Sequence, residues 1–282
     1  MGALQDKFIT YMTLRGFSPR THESYMHAME ELVRFYMVSP DRLTNEQIQR
    51  FLNHIITERK LEWSTVNVYF STYRCFYCRV LKRDQIRFSI PPRGRSKKLP
   101  VVLDKATVRR IINAPSNIKH WAVLYMAYGS GLRVSEICRL KPHHIESAPE
   151  RMMVRVEQGK GRKDRYTLLS RKALGLLKDY WRFCRPDEWL FFGRDKSQPM
   201  STGTAQAIYY SACRKAGIQH ARGIHTLRHC FASHLMENGA PIYALKRWLG
   251  HSALSTTAGY CHLTREQWQK IRSPLDMLYQ EK

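Results

Sequence analysis

Long apolar runs are absent from this sequence. No apolar stretch approaches the roughly 20 consecutive residues that a helix needs to cross a bilayer, and the mean hydropathy is −0.47. The first residues also lack the basic-then-apolar order of a signal peptide. These absences argue against a membrane or exported protein, so we expect a soluble, cytoplasmic protein with no membrane partner.

Cysteine is scarce and odd in number. The 282 residues include seven cysteines, which argues against a disulfide framework. Cys75 and Cys78 form one CxxC pair, but it lies in an aromatic, helical stretch and no second pair follows, so packing in a core is favoured over zinc binding. A carboxylate cluster suited to two metal ions is also missing. We therefore expect neither a metal nor a cofactor.

Acidic residues are few relative to basic ones. The sequence has 47 Lys and Arg against 23 Asp and Glu, a formal net charge of +24. A compact fold with this excess repels itself unless it meets a polyanion, and nucleic acid is the usual polyanion because Lys and Arg bind its phosphates. A basic ribosomal protein and a membrane-surface protein remain open at this point.

Acidic residues are missing altogether between Asp84 and Asp104. Prolines and glycine interrupt regular structure there and the like charges repel, which predicts an extended basic linker over residues 87–102 between domains at 1–86 and 103–282. Such a linker can follow a phosphate backbone, although an ordinary solvated linker has the same composition. Its candidate DNA contacts are Arg93, Arg95, Lys97 and Lys98.

The first domain is predicted to contain four helices. A short helix covers about residues 4–14, and Ser18 followed by proline opens the second. Thr44 begins a capping box ahead of the third helix, and Ser64 is the expected cap of the fourth, in which aromatic residues recur at helical spacing. This domain is expected to be entirely helical.

The second domain is predicted to be mostly helical with one exception. Residues 152–157 and 165–169 are short β-prone runs, and a glycine-containing turn lies between them. The pattern indicates a β-hairpin that carries Lys160 near its tip. The expected fold is therefore mainly α with a small β-hairpin or sheet, in two domains.

Four separated clusters combine basic and titratable side chains. They contain Arg133 with Glu136; Lys160; His225, Arg228 and His229; and His251 with Tyr260. Each alone has an ordinary explanation: a surface ion pair, a lysine in a turn, two histidines on a zinc ion, or a packed aromatic ring. Zinc is disfavoured at the third cluster, because Thr226 stands where the HExxH motif has glutamate and Arg228 would repel the metal.

The combination of clusters fits phosphodiester transfer. Negative charge gathers on the non-bridging oxygens in the transition state, and two planar guanidinium groups stabilise it well. A tyrosine can attack if its phenol, with a pKa of about 10, is relieved of its proton. A lysine can protonate the leaving oxygen, and histidines exchange protons near neutral pH.

The sequence resembles the tyrosine recombinase (phage integrase) family, most closely its Xer-type and integron- or transposon-borne members. The resemblance covers essentially the whole chain. It rests on five motifs in the family's order, GSGLRVSEICRL, GKGRKDR, HTLRH, LGH and STTAGYCH. The chain lacks an evident insertion in the second domain, which argues against an integron integrase proper.

The resemblance implies a role for each matching residue. Arg133 and Arg228 correspond to the two arginines that clamp the scissile phosphate, and Lys160 to the lysine that protonates the leaving 5′-hydroxyl. Tyr260 corresponds to the nucleophile, which forms a 3′-phosphotyrosyl bond. The remaining matches are His225 and His251 as catalytic histidines, Glu136 and His229 as supporting residues, and Arg162 and Lys163 as DNA contacts in the hairpin motif.

The resemblance also implies partners and an assembly. A helical core-binding domain and a catalytic domain would form a C-shaped clamp on double-stranded DNA at a specific recombination site. Four protomers would exchange strands through a Holliday junction without metal or ATP, with or without a second recombinase or accessory protein. The tail from about residue 263 would dock on a neighbouring protomer, or else pack on its own domain. The alternatives are a type IB topoisomerase and an inactive DNA-binding accessory protein.

Overall fold

The structure is a computed structural model that describes residues 2–83, 85, 87–92, 101–157, 164–219, 222–251, 253, 254 and 257. The chain divides into two compact units, Met1–Lys97 and Lys98–Lys282. Both units are mainly helical, and a small antiparallel sheet lies in the second. The predicted fold class, mainly α with a small sheet, is confirmed. None of the described helices is both long and apolar enough to cross a membrane.

The first unit is built from helices whose starts follow local sequence signals. They are α1 (Gly2–Leu14), α2 (Pro19–Tyr36), α3 (Asn45–Thr57) and α4 (Trp63–Cys75), the last continued by a π-helical turn over Phe76–Val80. The Ser18 hydroxyl accepts from the Thr21 N–H at 3.2 Å, and Thr44 forms the predicted capping box. The expected cap at Ser64 is wrong, because α4 begins at Trp63 behind Glu62, which makes no side-chain cap bond.

An aromatic core holds the first unit together. Its helices bury large side chains that include Phe8, Phe51 and Tyr73, and full burial of such a side chain contributes about 1.5–3 kcal/mol. The hydroxyl of Tyr73 donates to the Ala28 carbonyl at 3.0 Å, and that of Tyr77 to the Pro40 carbonyl at 2.7 Å. Each buried hydroxyl therefore has a backbone partner.

The second unit combines helices with a three-stranded sheet. Its helices are α5 (Lys105–Asn113), α6 (Ile118–Gly129), α7 (Val134–Cys138), α8 (Arg171–Cys184), α9 (Thr202–Lys215), α10 (His225–Glu237) and α11 (Ile242–Leu249). Its strands are β1 (Ile145–Glu146), β2 (Met153–Val156) and β3 (Arg165–Leu168), in the order β1-β2-β3.

Strands β2 and β3 form the predicted antiparallel hairpin, with Val154 opposite Thr167. The tip between them, residues 158–163, lies outside the described residues. Strand β1 was not expected, because two residues after a 3₁₀ turn are too few to show an alternating pattern. The hairpin matters for the site because Arg165, the first residue of β3, reaches inward from it.

Helix α10 is anchored on its apolar side. Leu227 is fully buried in the main core of the unit, and Phe231 packs with Leu245 and Leu249 of α11. Leu235 is partly buried against the same cluster. These contacts form the apolar face of α10 and fix the orientation of the helix, which also carries Arg228.

Candidate active site

A glycine turn brings α6, α7 and α10 together. Gly131 has a left-handed backbone with φ of +59°, and a Cβ atom there would lie 2.3 Å from Cδ1 of Phe231. Only glycine fits such a turn without displacing the ring. The turn leads directly to Arg133, which precedes the five-residue helix α7.

Arg133 is held by its own helix and by a distant loop. Its backbone N–H donates to Glu136 Oε2 at 2.7 Å, and its Nη1 donates to Glu136 Oε1 at 2.8 Å. Its Nη2 donates to the Gly250 carbonyl at 3.2 Å. The side chain is 21% exposed, so the guanidinium is fixed on one side and open to solvent on the other.

Arg228 is the more deeply buried arginine, with 5% of its surface exposed. Nη1 donates to the Gly131 carbonyl and Nη2 to the Leu249 carbonyl, both at 2.6 Å. Nη1 also lies 3.9 Å from Glu136 Oε2. One carboxylate thus contacts both arginines that the sequence analysis singled out.

A third arginine completes this arrangement, and sequence reasoning missed it. Arg165 donates through Nη1 and Nη2 to the two oxygens of Glu136 at 2.8 and 2.7 Å, and through Nε to the Trp248 carbonyl at 2.8 Å. Arg165 lies within the GKGRKDR motif among other basic residues. No local signal separated it from its neighbours, because its partners lie 29 and 83 residues away.

Glu136 is ionised in this setting. Burial raises the pKa of its carboxyl, but the hydrogen bonds and charge of Arg165, with those of Arg133, outweigh burial and lower the pKa to about 2. A carboxylate with three guanidinium groups around it remains charged at any physiological pH. Its negative charge offsets part of the mutual repulsion of the arginines.

The C-terminal end of α11 supplies one acceptor to each arginine. The carbonyls of three consecutive residues, Trp248, Leu249 and Gly250, accept from Arg165, Arg228 and Arg133 respectively. The last carbonyls of a helix have no partner within it and carry partial negative charge. Cations are therefore well placed at this helix end.

His251 follows this helix end and joins the cluster. Its Nε2 lies 3.3 Å from Nη2 of Arg228, which can only donate, and its Nδ1 lies 3.0 Å from the hydroxyl of the buried Thr257. Burial and the charges of Arg228 and Arg133 lower the pKa of His251 to about 4. The imidazole is therefore neutral at pH 7, with Nε2 as the acceptor and Nδ1 as the donor.

Two histidines lie at the start of α10 in the same electrostatic environment. Desolvation lowers the pKa of His225, as do the charges of Arg228 and Arg133. The pKa of His229 is lowered by desolvation, by His225 and by Arg228. The structure thus brings together, of the residues predicted from sequence, Arg133, Glu136, His225, Arg228, His229 and His251.

The other predicted site residues lie outside the described residues. They are Lys160 and Tyr260, the hairpin residues Arg162 and Lys163, and the linker residues Arg93, Arg95, Lys97 and Lys98. The tail from about residue 263 lies outside them as well.

One group of potential metal ligands occurs among the described residues, and two of its members, His144 and Glu157, line the same cavity as Arg133 and Glu136. His143, His144 and Glu157 place ligand atoms within 4.8 Å of one another. Nδ1 of His144 accepts the Lys141 N–H at 3.1 Å, and its Nε2 lies 3.3 Å from Glu157. A neutral imidazole that accepts through Nδ1 carries its proton on Nε2. Nε2 lies close to Glu157 but makes no hydrogen bond of good geometry with a described residue, and a protonated ring nitrogen is not a metal ligand.

Fixed guanidinium groups beside neutral imidazoles are suited to binding a phosphate and to moving protons around it. A helical unit followed by a mainly helical unit with such a site is the arrangement of a DNA strand-transfer enzyme. Two family models agree with this class. Residues 4–87 match the N-terminal SAM-like domain of phage integrases, and residues 101–267 match the phage integrase family. The chain belongs to the phage integrase family, whose members are tyrosine recombinases.

Relatives match over nearly the full chain. A Sinorhizobium fredii protein named as an integrase/recombinase is 35% identical, over 99% of this chain and 90% of its own length. The tyrosine recombinase XerA of Thermococcus onnurineus is 31% identical, over 95% of this chain and 93% of its own length. The expected site-specific recombination is confirmed, and neither alternative, a topoisomerase or an inactive accessory protein, is favoured.

Solved structures agree in fold. The crystal structure of a XerA recombinase has a TM-score of 0.54 at 26% identity and covers 99% of this chain and 98% of that chain. A lambda integrase fragment has a TM-score of 0.73 at 20% identity, with 96% and 99% covered, and it supports the fold alone. The fold is therefore shared with these proteins.

Proposed function

We propose that this recombinase cleaves DNA through Tyr260 and rejoins it without metal or ATP. The observation that carries the proposal is the pair Arg133 and Arg228, fixed on one carboxylate and on adjacent carbonyls of one helix end. Planar guanidinium groups held in this way stabilise charge that develops on a phosphate without having to reorganise. This is the main requirement of phosphoryl transfer.

The proposed chemistry is a reversible exchange of esters. The phenolic oxygen of Tyr260 attacks phosphorus while the bond to the 5′-oxygen breaks, which leaves a 3′-phosphotyrosyl bond and a 5′-hydroxyl. Lys160 gives a proton to the leaving oxygen. His225, neutral because its pKa is lowered, can accept the phenolic proton. A 5′-hydroxyl from the other duplex reverses the step, so the energy of the ester bond is retained and no ATP is needed.

The proposed partner is double-stranded DNA at a specific site. XerH bound to difH, with a TM-score of 0.65, and the lambda integrase dimer on a core site are structural neighbours in complex with DNA, and the net charge of +24 agrees with a DNA partner. We assign phosphate contacts to the basic side chains of the linker and the hairpin tip: Arg93, Arg95, Lys97, Lys98, Arg162 and Lys163.

We further propose that four protomers assemble on two duplexes and pass through a Holliday junction. The segment after Tyr260 is amphipathic in sequence, with Trp268, Ile271 and Leu275 at helical spacing. A tail of this kind can dock on a neighbouring protomer. Sequencing of the DNA that is covalently trapped on the protein would identify the target site.

The decisive test is covalent trapping with nicked DNA. The short fragment released by cleavage dissociates, so the strand cannot be rejoined and the covalent adduct accumulates. Tyr260→Phe should abolish the protein–DNA adduct and leave DNA binding nearly unchanged, because only the attacking oxygen is removed. Tyr243→Phe is the matched control, since Tyr243 is a 73% exposed tyrosine on α11 and its variant should form the adduct normally. An adduct with the Tyr260→Phe variant would show that another residue is the nucleophile.

A further inference from the structure

Arg165 connects three segments of the second unit. It belongs to β3, it forms a two-pronged bond to Glu136 of α7, and its Nε donates to the Trp248 carbonyl at the end of α11. Its side chain is only 8% exposed. An arginine this buried and this fully bonded within the protein does not reach a DNA strand.

The carboxylate that Arg165 holds is the one that orients Arg133. Both oxygens of Glu136 accept from Arg165, and the same oxygens accept from the backbone and from Nη1 of Arg133. A two-pronged guanidinium bond fixes the plane of a carboxylate as well as its position. Arg165 therefore holds the Glu136 carboxylate in the single orientation in which it accepts from Arg133.

Arg165 also packs against the loop that holds both arginines. A Cβ atom on Gly250 would lie 2.8 Å from Cδ and 3.0 Å from Nε of Arg165, and Gly250 has a left-handed φ of +62°. Only glycine allows the backbone to lie this close to the Arg165 side chain. The carbonyl of Gly250 accepts from Arg133 and that of Leu249 from Arg228, so Arg165 supports both acceptors.

Stability alone does not account for this ion pair. Each buried charge loses several kcal/mol of solvation, and replacing a buried pair with apolar side chains of similar volume is often neutral or stabilising. The contacts of Arg165 converge instead on the acceptors of the two phosphate-binding arginines.

We propose that Arg165 is a positioning residue of the cleavage reaction, which acts through Glu136 and the Trp248–Gly250 segment to hold Arg133 and Arg228. The inference rests on the proposed function of those two arginines, and it adds a residue that contacts neither DNA nor the reacting atoms.

The first test measures single-turnover cleavage of a nicked site by two variants. Arg165→Gln should slow cleavage about 10²-fold, as expected for a displacement of catalytic groups of about 1 Å. Arg165→Lys should not restore the rate, because an ammonium group cannot form the two-pronged bond. Arg182→Gln is the control, since it removes an exposed arginine paired with Asp179 on α8, and its rate should match that of the unaltered protein. Normal cleavage by Arg165→Gln would overturn the inference.

The second test separates positioning from general support of the fold. A methylphosphonate at the scissile position removes a negative oxygen, so it reduces the need for correctly placed arginines. The defect of the Arg165→Gln variant should shrink on this substrate, whereas a merely structural defect would be equal on both substrates. An equal defect would therefore refute the positioning role. If Arg165→Gln does not fold, the folded Arg165→Lys variant serves for the same comparison.

The third test asks whether Arg165 acts through Glu136. The double variant Arg165→Gln, Glu136→Gln should cleave faster than the product of the two single defects predicts, because both changes break the Arg165–Glu136 link. Multiplied defects would show that the two residues act separately and would overturn this route. Failure of the unaltered protein to form any adduct would refute the proposed function instead. In that case the Arg165–Glu136 link can still be tested in DNA-free protein by carbon-13 NMR titration of the Glu136 carboxyl. The Glu136 pKa should be higher in the Arg165→Gln variant than in the unaltered protein, and an equal pKa would refute the link.

Discussion

The two compact units bury polar groups in different ways. In the first unit, Tyr73 and Tyr77 are fully buried, and each donates one neutral hydrogen bond to a backbone carbonyl. In the second unit, Glu136, Arg165 and Arg228 carry charges and are nearly as inaccessible. A neutral hydrogen bond contributes about 1 kcal/mol to stability, whereas burying an ion costs several kcal/mol before its partners compensate.

The residues that serve folding and those that serve cleavage are therefore found in different units. The polar bonds of the first unit connect its helices and serve its stability. The buried charges of the second unit are concentrated at the end of α11. Arg133 lies there too, bonded to the Gly250 carbonyl and partly exposed to solvent. Substitutions in the first unit should therefore change stability, and substitutions at the buried charges should change cleavage more than stability.

The largest effect should come from Arg228→Ala. Loss of an arginine clamp in phosphoryl transfer reduces the rate by about 10³–10⁵-fold, and we expect a loss of this size in single-turnover cleavage. Arg214→Ala, which alters an exposed arginine at the end of α9, should cleave normally. If the two variants cleaved alike, Arg228 would not belong to the active site. The buried charges of the second unit would then not be shown to serve cleavage.

Lys160→Ala should have the next largest effect. Loss of a general acid typically slows a reaction about 10²–10⁴-fold. A substrate with sulfur at the 5′-bridging position leaves without a proton, so it should restore cleavage by Lys160→Ala but not by Arg228→Ala. If sulfur did not rescue the lysine variant, Lys160 would not be the acid.

Acid should destabilise the second unit through Glu136. The folded pKa of about 2 lies below the ordinary value of 4.5, so the carboxylate stabilises the protein above pH 4.5. That contribution is lost as the pH falls from about 4.5 to 2, and the shift corresponds to roughly 3 kcal/mol. Urea unfolding at a series of pH values should show this loss, and Glu136→Gln should remove it. A variant with the same pH dependence as the unaltered protein would contradict the assignment.

Tyr73→Phe should have the smallest effect, and only on stability. It removes the hydroxyl that donates to the Ala28 carbonyl, which should lower the free energy of unfolding by about 1–3 kcal/mol since an acceptor is left buried. Cleavage by the folded variant should be unchanged. Reduced cleavage at full folding would show that the two units do not separate stability from chemistry.

Local signals in the sequence predicted much of the fold. Ser18 and Thr44 cap helices through contacts within three residues, and the hairpin alternates over consecutive residues. The error at Ser64 has the opposite cause: α4 begins two residues earlier than a cap at Ser64 would place it, without any side-chain cap. The first turn of this helix therefore carries no local signal of the kind found at Ser18 and Thr44.

The candidate site was only partly predictable. Arg133, Glu136 and Arg228 lie in motifs that matched a family, whereas Arg165 resembles its basic neighbours until the fold brings Glu136 and Trp248 to it. Gly250 shows the same limit, since its need for glycine depends on Arg165, which lies 85 positions earlier in the chain. The roles of Lys160 and Tyr260 stay predictions.

The end of α11 places an unusual constraint on changes in chain length. Its three acceptors are main-chain carbonyls, so exchanging the side chains of Trp248 or Leu249 keeps every acceptor in place. One residue inserted or deleted in α11 just ahead of Trp248 would turn the carbonyls that follow by about 100° around the helix axis and would displace the acceptors of all three arginines together. A substitution of Trp248 or Leu249 that keeps the packing should therefore leave the acceptors intact, whereas Gly250 must remain glycine and an insertion or deletion should not be tolerated.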